Sequence, residues 1–252
     1  MADFRIIARL DVKPPFLIKG VHLEGLRKLG DPQVFAEKYY SEGIDEIIYI
    51  DAVASLYQRN TIKELVKKTA TNVFIPITAG GGVRSVDDVQ TLLRVGADKV
   101  AVNTAAVHRP KLISEICLAL GSQCIVLSIQ AKRHAQGWEA YSDQGREHTN
   151  LDAVEWARRG EELGAGEILV TSVDQEGTKR GFDTELIKAV TEVVSVPVIA
   201  SGGMGKIEDL IQMYRLSGVR AVAIANLLHY NVMDVATIRA GAMEAGVPVR
   251  AI

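Results

Sequence analysis

The chain has 252 residues, 48% of them hydrophobic and 24% charged, with a formal net charge of −2. That is ample for one large core, and the near-neutral balance gives no broad attraction to nucleic acid or to an anionic membrane. Cys117 and Cys124 fit no metal or disulfide spacing and read as free thiols in a reducing compartment. The segment MADFRIIARL lacks the long apolar stretch of a secretory signal, and no apolar run is long enough to span a bilayer. A cytoplasmic location, without metal or organic cofactor, is expected.

Short β-rich apolar runs alternate with amphipathic stretches from end to end. Strands are expected over residues 6–10, 46–50, 73–77, 99–102, 124–129, 167–171, 196–200 and 221–224. Helices are expected over 32–41, 62–69, 86–95, 111–120, 151–163, 184–193, 207–216 and 235–245. Eight strand–helix pairs in this length fit an α/β chain closed into a (β/α)8 TIM barrel. A doubly wound open sheet is the competing arrangement. No Pro/Ser-rich linker or low-complexity tract interrupts the chain, so residues 1–252 read as a single domain.

The centre of the pattern is 75–104, IPITAGGGVRSVDDVQTLLRVGADKVAVNT. An apolar run ends in three glycines, a helical stretch follows, and a second apolar run stops at Asn103-Thr104. A glycine turn brings backbone close to a ligand, and free N–H groups there suit an anion; equally, such a turn is often only a turn. The stretch occurs again at 196–226, VPVIASGGMGKIEDLIQMYRLSGVRAVAIAN, where Gly82 falls on Gly203 and Asn103-Thr104 on Ala225-Asn226. A repeat this long points to two fused half-barrels, about 1–121 and 122–252. Two phosphate loops suggest a ligand with a phosphate at each end.

In such a barrel, function sits on the carboxyl ends of the strands. Those ends are expected at Asp11, Asp51, Gly80 to Gly82, Asn103-Thr104, Gln130, Thr171-Ser172, Ser201-Gly202-Gly203 and Ala225-Asn226. Asp174 and Glu176 lie just beyond the sixth. The connection 13–31 is long for a βα loop and could act as a lid. Lys19 on it is, from position alone, best read as a solvated surface lysine.

Together, the motifs RIIARLDVK, IKGVHLEGLRKLGDP, IDAVAS, FIPITAGGGVRS, GADKVAVNTAAV, GSQCIV, LDAVEWARRGEELGAGEILVTSVDQEGTKRGFD and VPVIASGGMG resemble the cyclase subunits of imidazole glycerol phosphate synthase, the HisF family. The resemblance runs nearly end to end. It implies a lyase of histidine biosynthesis. Ammonia from a separate glutaminase subunit would reach a bisphosphorylated formimino-aminoimidazole carboxamide ribonucleotide, giving imidazole glycerol phosphate and aminoimidazole carboxamide ribotide. Matched residue by residue, it implies acid–base work at Asp11 and at position 130, with Lys19 and Asp51 beside them and Thr171 and Ser201 lining the mouth. One phosphate would sit on Gly82, Asn103 and Thr104. The other would sit on Glu176, Gly177, Gly203, Ala225 and Asn226. On the opposite rim Arg5, Glu46, Lys99 and Glu167 would form an ammonia gate, and Asp98 would face the partner. A structural salt-bridge ring is the alternative reading of those four charges.

Three positions depart from the family pattern. Gln130 replaces the second catalytic aspartate, and a neutral amide exchanges no proton near pH 7. Arg9 stands where a cysteine is usual, and Glu176 adds a methylene to the acidic position of the sixth strand. The sequence therefore admits a cyclase with an altered proton relay, a relative passing ammonia to another acceptor such as a surface sugar, or a non-catalytic conduit.

Overall fold

A computed structural model describes residues 4–54 and 62–251; Ser55, the last residue of the IDAVAS motif, lies outside them. Eight parallel strands close on themselves: β1 (Arg5–Lys13), β4 (Glu46–Asp51), β5 (Ile77–Gly80), β6 (Lys99–Val102), β7 (Ile125–His134), β10 (Glu167–Ser172), β11 (Val198–Ser201) and β12 (Ala221–Ile224). Each pairs in parallel with the next, and β12 returns to β1 through Arg5↔Ala221. That closure excludes the open sheet.

The helices α1 (Pro32–Ser41), α2 (Ile62–Thr69), α3 (Val86–Arg94), α5 (Lys111–Leu120), α6 (Ala153–Glu162), α7 (Thr184–Thr191), α8 (Ile207–Ser217) and α10 (Val235–Glu244) follow the strands. Short helices α4 (Thr104–His108) and α9 (Asn226–His229) follow β6 and β12. Side-chain oxygens start several of them. Asp31 accepts from the Gln33 amide with Pro32 in the first turn, and Ser85 and Asp88 form a capping box, each satisfying amides that helix geometry leaves open. Among the described residues no helix is long and apolar enough to cross a membrane.

The barrel strands read as unbroken apolar runs because both their faces are buried. Alternate residues divide between two cores. Ile6, Ala8, Leu10 and Val12 of β1 pack outward under the helices, in the larger cluster. Ile7 points into the bore with Ile48, Ile50, Ala101, Val126, Leu169 and Ile199.

Strand boundaries differ from expectation in two ways. The third and seventh strands begin at Ile77 and Val198, not at 73 and 196. Pro76 and Pro197 have no N–H to give a ladder, although their carbonyls accept from Ile47 and Ile168, each at 3.0 Å. The first and fifth strands overrun, because each continues into an antiparallel hairpin. The connection 13–31, expected as a loop, is β2 (Phe16–Val21) and β3 (Glu24–Gly30), tied to β1 at Val12↔Leu17. Its counterpart after β7 is β8 (Gly137–Ser142) and β9 (Glu147–Asp152), with Gln130↔Tyr141 in register. Gln130 is thus mid-strand, not a strand end.

Candidate active site

The bore is charged at both ends and apolar between. At the amino rim, the first residues of β1, β4, β6 and β10 form a closed ring. Arg5 pairs with Glu46 at 2.6 Å and with Glu167. Lys99 pairs with Glu46 at 3.1 Å and with Glu167 at 2.7 Å. All four residues of the expected gate therefore touch. Asp98 is exposed on the same rim, where its carboxylate accepts from the Ile77 amide at 2.8 Å.

At the carboxyl end, Arg9 and Asp11 share the inward face of β1. Arg9 is 2% exposed. It donates through Nε to Asp11 Oδ1 at 3.0 Å, and through Nη1 to Thr171 Oγ1 at 2.7 Å and Ser201 Oγ at 3.1 Å. Burial by itself would raise the Asp11 carboxyl, but the Arg9 guanidinium, with the Lys19 ammonium, holds it below the usual carboxylate value. Thr171 and Ser201 are buried acceptors for Arg9 within the bore's upper layer.

Lys19 is not a surface lysine. β2 carries it inward, where it is 2% exposed and ion-paired with buried Glu176. Burial pushes its ammonium down to about 8; Asp11 opposes the shift and Arg9 adds to it. The hairpin that carries Lys19 is docked on the sixth-strand loop: the His22 amide donates to the Glu176 carbonyl at 2.8 Å, and His22 Nδ1 lies 2.9 Å from the Val173 carbonyl.

The two glycine turns occupy the same rim but different surroundings. In the first half a cavity of about 320 Å³ is lined by Asp51, Gly81, Gly82, Asn103, Thr104, Ser128, Gln130 and Gln144, with Arg84, His108 and Arg109 among the other lining residues. Gly81 and Gly82 have φ of 103° and 74°, where a side chain is strained, and a Cβ on Gly81 would stand 2.5 Å from the Asp51 carbonyl oxygen. The Asn103 amide donates to the Ser128 and Tyr141 carbonyls at 2.9 and 3.2 Å, and the Asp143 amide donates to Thr104 Oγ1 at 3.1 Å. The β8–β9 hairpin thereby roofs this site. In the second half Glu176, Gly177, Gly203, Ala225 and Asn226 surround only about 10 Å³. A Cβ on Gly177 would meet the Gly20 carbonyl oxygen at 2.6 Å, and one on Gly203 the Gly181 carbonyl oxygen at 2.0 Å. The open space here, about 580 Å³, lies next door against Lys19, Gly20, Gly177, Lys179 and Asn226.

Gln130 is buried; its Nε2 reaches Gln144 Oε1 at 3.3 Å, and its Oε1 has no hydrogen-bond partner among the described residues. Asp51 Oδ1 accepts from the Val53 amide at 3.0 Å. Among the described residues no group of three or more His, Cys, Asp or Glu could hold a metal ion. Three contributors escape the sequence reading as site residues: Arg9, Gln144 and His229. Arg9 stands two residues before Asp11, a spacing that puts both side chains on one face of a strand. Gln144 sits in the turn SDQG, a hairpin signal. His229 is buried, stacked on Tyr39 and 2.7 Å from its hydroxyl; burial pushes its imidazole down to about 3. Nothing local in the sequence marks it.

The family model described as "Histidine biosynthesis protein" matches residues 5–234. An imidazole glycerol phosphate synthase subunit HisF from Legionella pneumophila is 65% identical over 210 residues, 83% of this chain and 99% of the relative. Proteins of the same name from Mycobacteroides abscessus and Pyrococcus furiosus are 48% and 46% identical, each over 98% of both chains. The Asp11 mouth, the paired glycine turns and the charged amino rim all fall within the residues that the family model matches, and the chain belongs to the histidine biosynthesis protein family, among its HisF members.

Proposed function

We propose that this chain is the cyclase subunit of an imidazole glycerol phosphate synthase in the cytoplasm. It uses ammonia from a glutaminase subunit to convert the bisphosphorylated formimino-aminoimidazole carboxamide ribonucleotide into imidazole glycerol phosphate and aminoimidazole carboxamide ribotide. The observation that carries this reading is axial. A closed ion ring at one rim leads through an apolar bore to a buried carboxylate, flanked by two glycine turns on the other rim. Ammonia is small and neutral, so the apolar bore admits it and resists ions.

In this reading one domain, 1–252, is two half-barrels, about 1–121 and 122–252, that each hold one phosphate. Gly82, Asn103 and Thr104 take one end of the substrate. Gly177, Gly203, Ala225 and Asn226 take the other, with Glu176 holding Lys19 beside them. Fixing both ends places the reacting imine and ketone over Asp11, which supplies orientation before any proton moves. Asp11, held as a carboxylate, accepts a proton during ring closure. Gln130 cannot exchange a proton; its amide fixes a substrate polar group instead. Asp51, Thr171 and Ser201 complete the polar wall. The Arg5–Glu46–Lys99–Glu167 ring opens to admit ammonia, and the glutaminase docks on that rim beside Asp98.

The test is turnover of the ribonucleotide by the purified chain with ammonium salt. Formation of imidazole glycerol phosphate is the expected result, and glutamine should replace ammonium once a glutaminase subunit is added. No turnover until Gln130→Asp restores it would instead point to a different ammonia acceptor.

A further inference from the structure

Asp11 has charged or titratable neighbours on every side. Arg9 precedes it on β1, and Lys19 approaches from β2 with Glu176 behind it. His229 approaches from α9, and Asp51 ends the adjacent strand β4. Among the described residues only Arg9 hydrogen-bonds the Asp11 carboxylate. The same guanidinium reaches Thr171 on β10 and Ser201 on β11, so it crosses from the first barrel strand to the sixth and seventh. A planar fork with acceptors on three strands has little freedom left.

We infer that Arg9 is a positioning residue that holds Asp11 in one orientation as a permanent carboxylate, so that the mouth works with one fixed base in place of two carboxyls dividing acid and base roles. The inference rests on Asp11 being the base of the proposed reaction. Position 130 fits it: the residue that would otherwise share the proton work is a buried, uncharged amide, lining the first-half cavity with Asp51. A stabilising role alone does not account for the arrangement, because a buried ion pair is often no more stable than an apolar replacement of equal volume. What the pair does provide is a defined protonation state and direction, since an adjacent cation favours the charged carboxylate against burial.

The experiment follows the Asp11 side-chain carbon by NMR in the full chain labelled at the aspartate carboxyls, free of substrate and partner. In the wild type Asp11 should stay ionised below the ordinary carboxylate range, up to acid unfolding. In Arg9→Met the midpoint should shift upward, so that Asp11 protonates while the chain is still folded; Arg9→Lys should keep it low. Equal titration of the wild type and Arg9→Met would overturn the proposal. Should Arg9→Met not fold, Asp11→Ala serves: with its acceptor gone, the Arg9 Nε–H should lose its protection from solvent exchange, and unchanged protection overturns the clamp. Because no turnover is read, an absent cyclase activity would appear separately, in the ammonium assay.

Discussion

Two sets of four charges lie on the barrel axis, and they handle burial differently. At the amino rim Arg5 and Lys99 each touch both Glu46 and Glu167. Every charge there has two opposite neighbours, and the cations remain partly exposed. At the carboxyl end the charges form two separate pairs, Arg9 with Asp11 and Lys19 with Glu176, all of them buried. In a closed ring, loss of one contact leaves each group with another partner, so the ring can open and reclose. Where each buried charge has a single ion-pair partner, loss of that partner leaves a charge away from water without a direct contact. The first design suits a gate, the second a fixed catalytic geometry.

The largest contrast is catalytic. Asp11→Asn keeps the shape but removes the carboxylate proposed as the base, so ammonium-fed turnover should fall by roughly 10²–10⁴. Glu46→Gln at the other end should leave ammonium-fed turnover near wild type, since added ammonia reaches the mouth from solvent. Equal losses in the two variants would erase the distinction between the ends.

Next in size is the stability cost of stranding Lys19. Glu176→Gln removes its carboxylate, and breaking a buried pair costs on the order of 3–5 kcal/mol. The ammonium already titrates at about 8 against an ordinary value of 10.5, so it can shed its proton to escape. Sign follows from that: the folded state binds fewer protons between those values, so stability from this group rises with pH there. Without the carboxylate the ammonium should titrate lower still, so the destabilisation by Glu176→Gln should be largest well below pH 8 and level off by about pH 8, where the wild-type Lys19 itself begins to lose its proton, read as urea midpoints across pH.

How far this was legible in the sequence depends on the range of the interaction. The barrel was readable because eight alternations of apolar strand and amphipathic helix are local patterns. The amino-rim ring was readable because Arg5, Glu46, Lys99 and Glu167 each open a strand, and closure of a barrel brings strand starts together. Position alone leaves Lys19 at the surface and only the resemblance brings it to the site, because its burial depends on 13–31 folding as a hairpin and docking on Glu176, a partner 157 residues away. The role of Arg9 was half visible. Its spacing from Asp11 gives the shared face, but its reach to Thr171 and Ser201, 162 and 192 residues on, exists only once the barrel is shut.

A pH effect should separate the two ends further. His229 borders the Asp11–Lys19 cluster and titrates at about 3 when folded, against 6.5 ordinarily. As pH falls below about 6.5 the unfolded chain takes a proton that the folded chain refuses, so stability is lost progressively down to about 3. His229→Phe gives up the hydrogen bond to Tyr39 at every pH but removes this acid sensitivity. Its urea midpoint should drop less between pH 7 and pH 5 than that of the wild type. Parallel curves would place the acid sensitivity in other groups.

The smallest effect belongs to the ring itself. In Glu46→Gln, Arg5 and Lys99 both keep Glu167, and their partial exposure lets water take up the slack. The loss should be about 1 kcal/mol or less, as for accessible ion pairs, and salt should shrink it, because exposed charges are screened within roughly 10 Å at 0.1 M. The consequence is functional. If the ring is weak enough to open, Glu46→Gln should make glutamine-fed turnover easier to perturb than ammonium-fed turnover, with little change in the denaturation midpoint. A loss as large as that of Glu176→Gln would mean that the four charges act as a rigid plug, closing the bore in place of gating it.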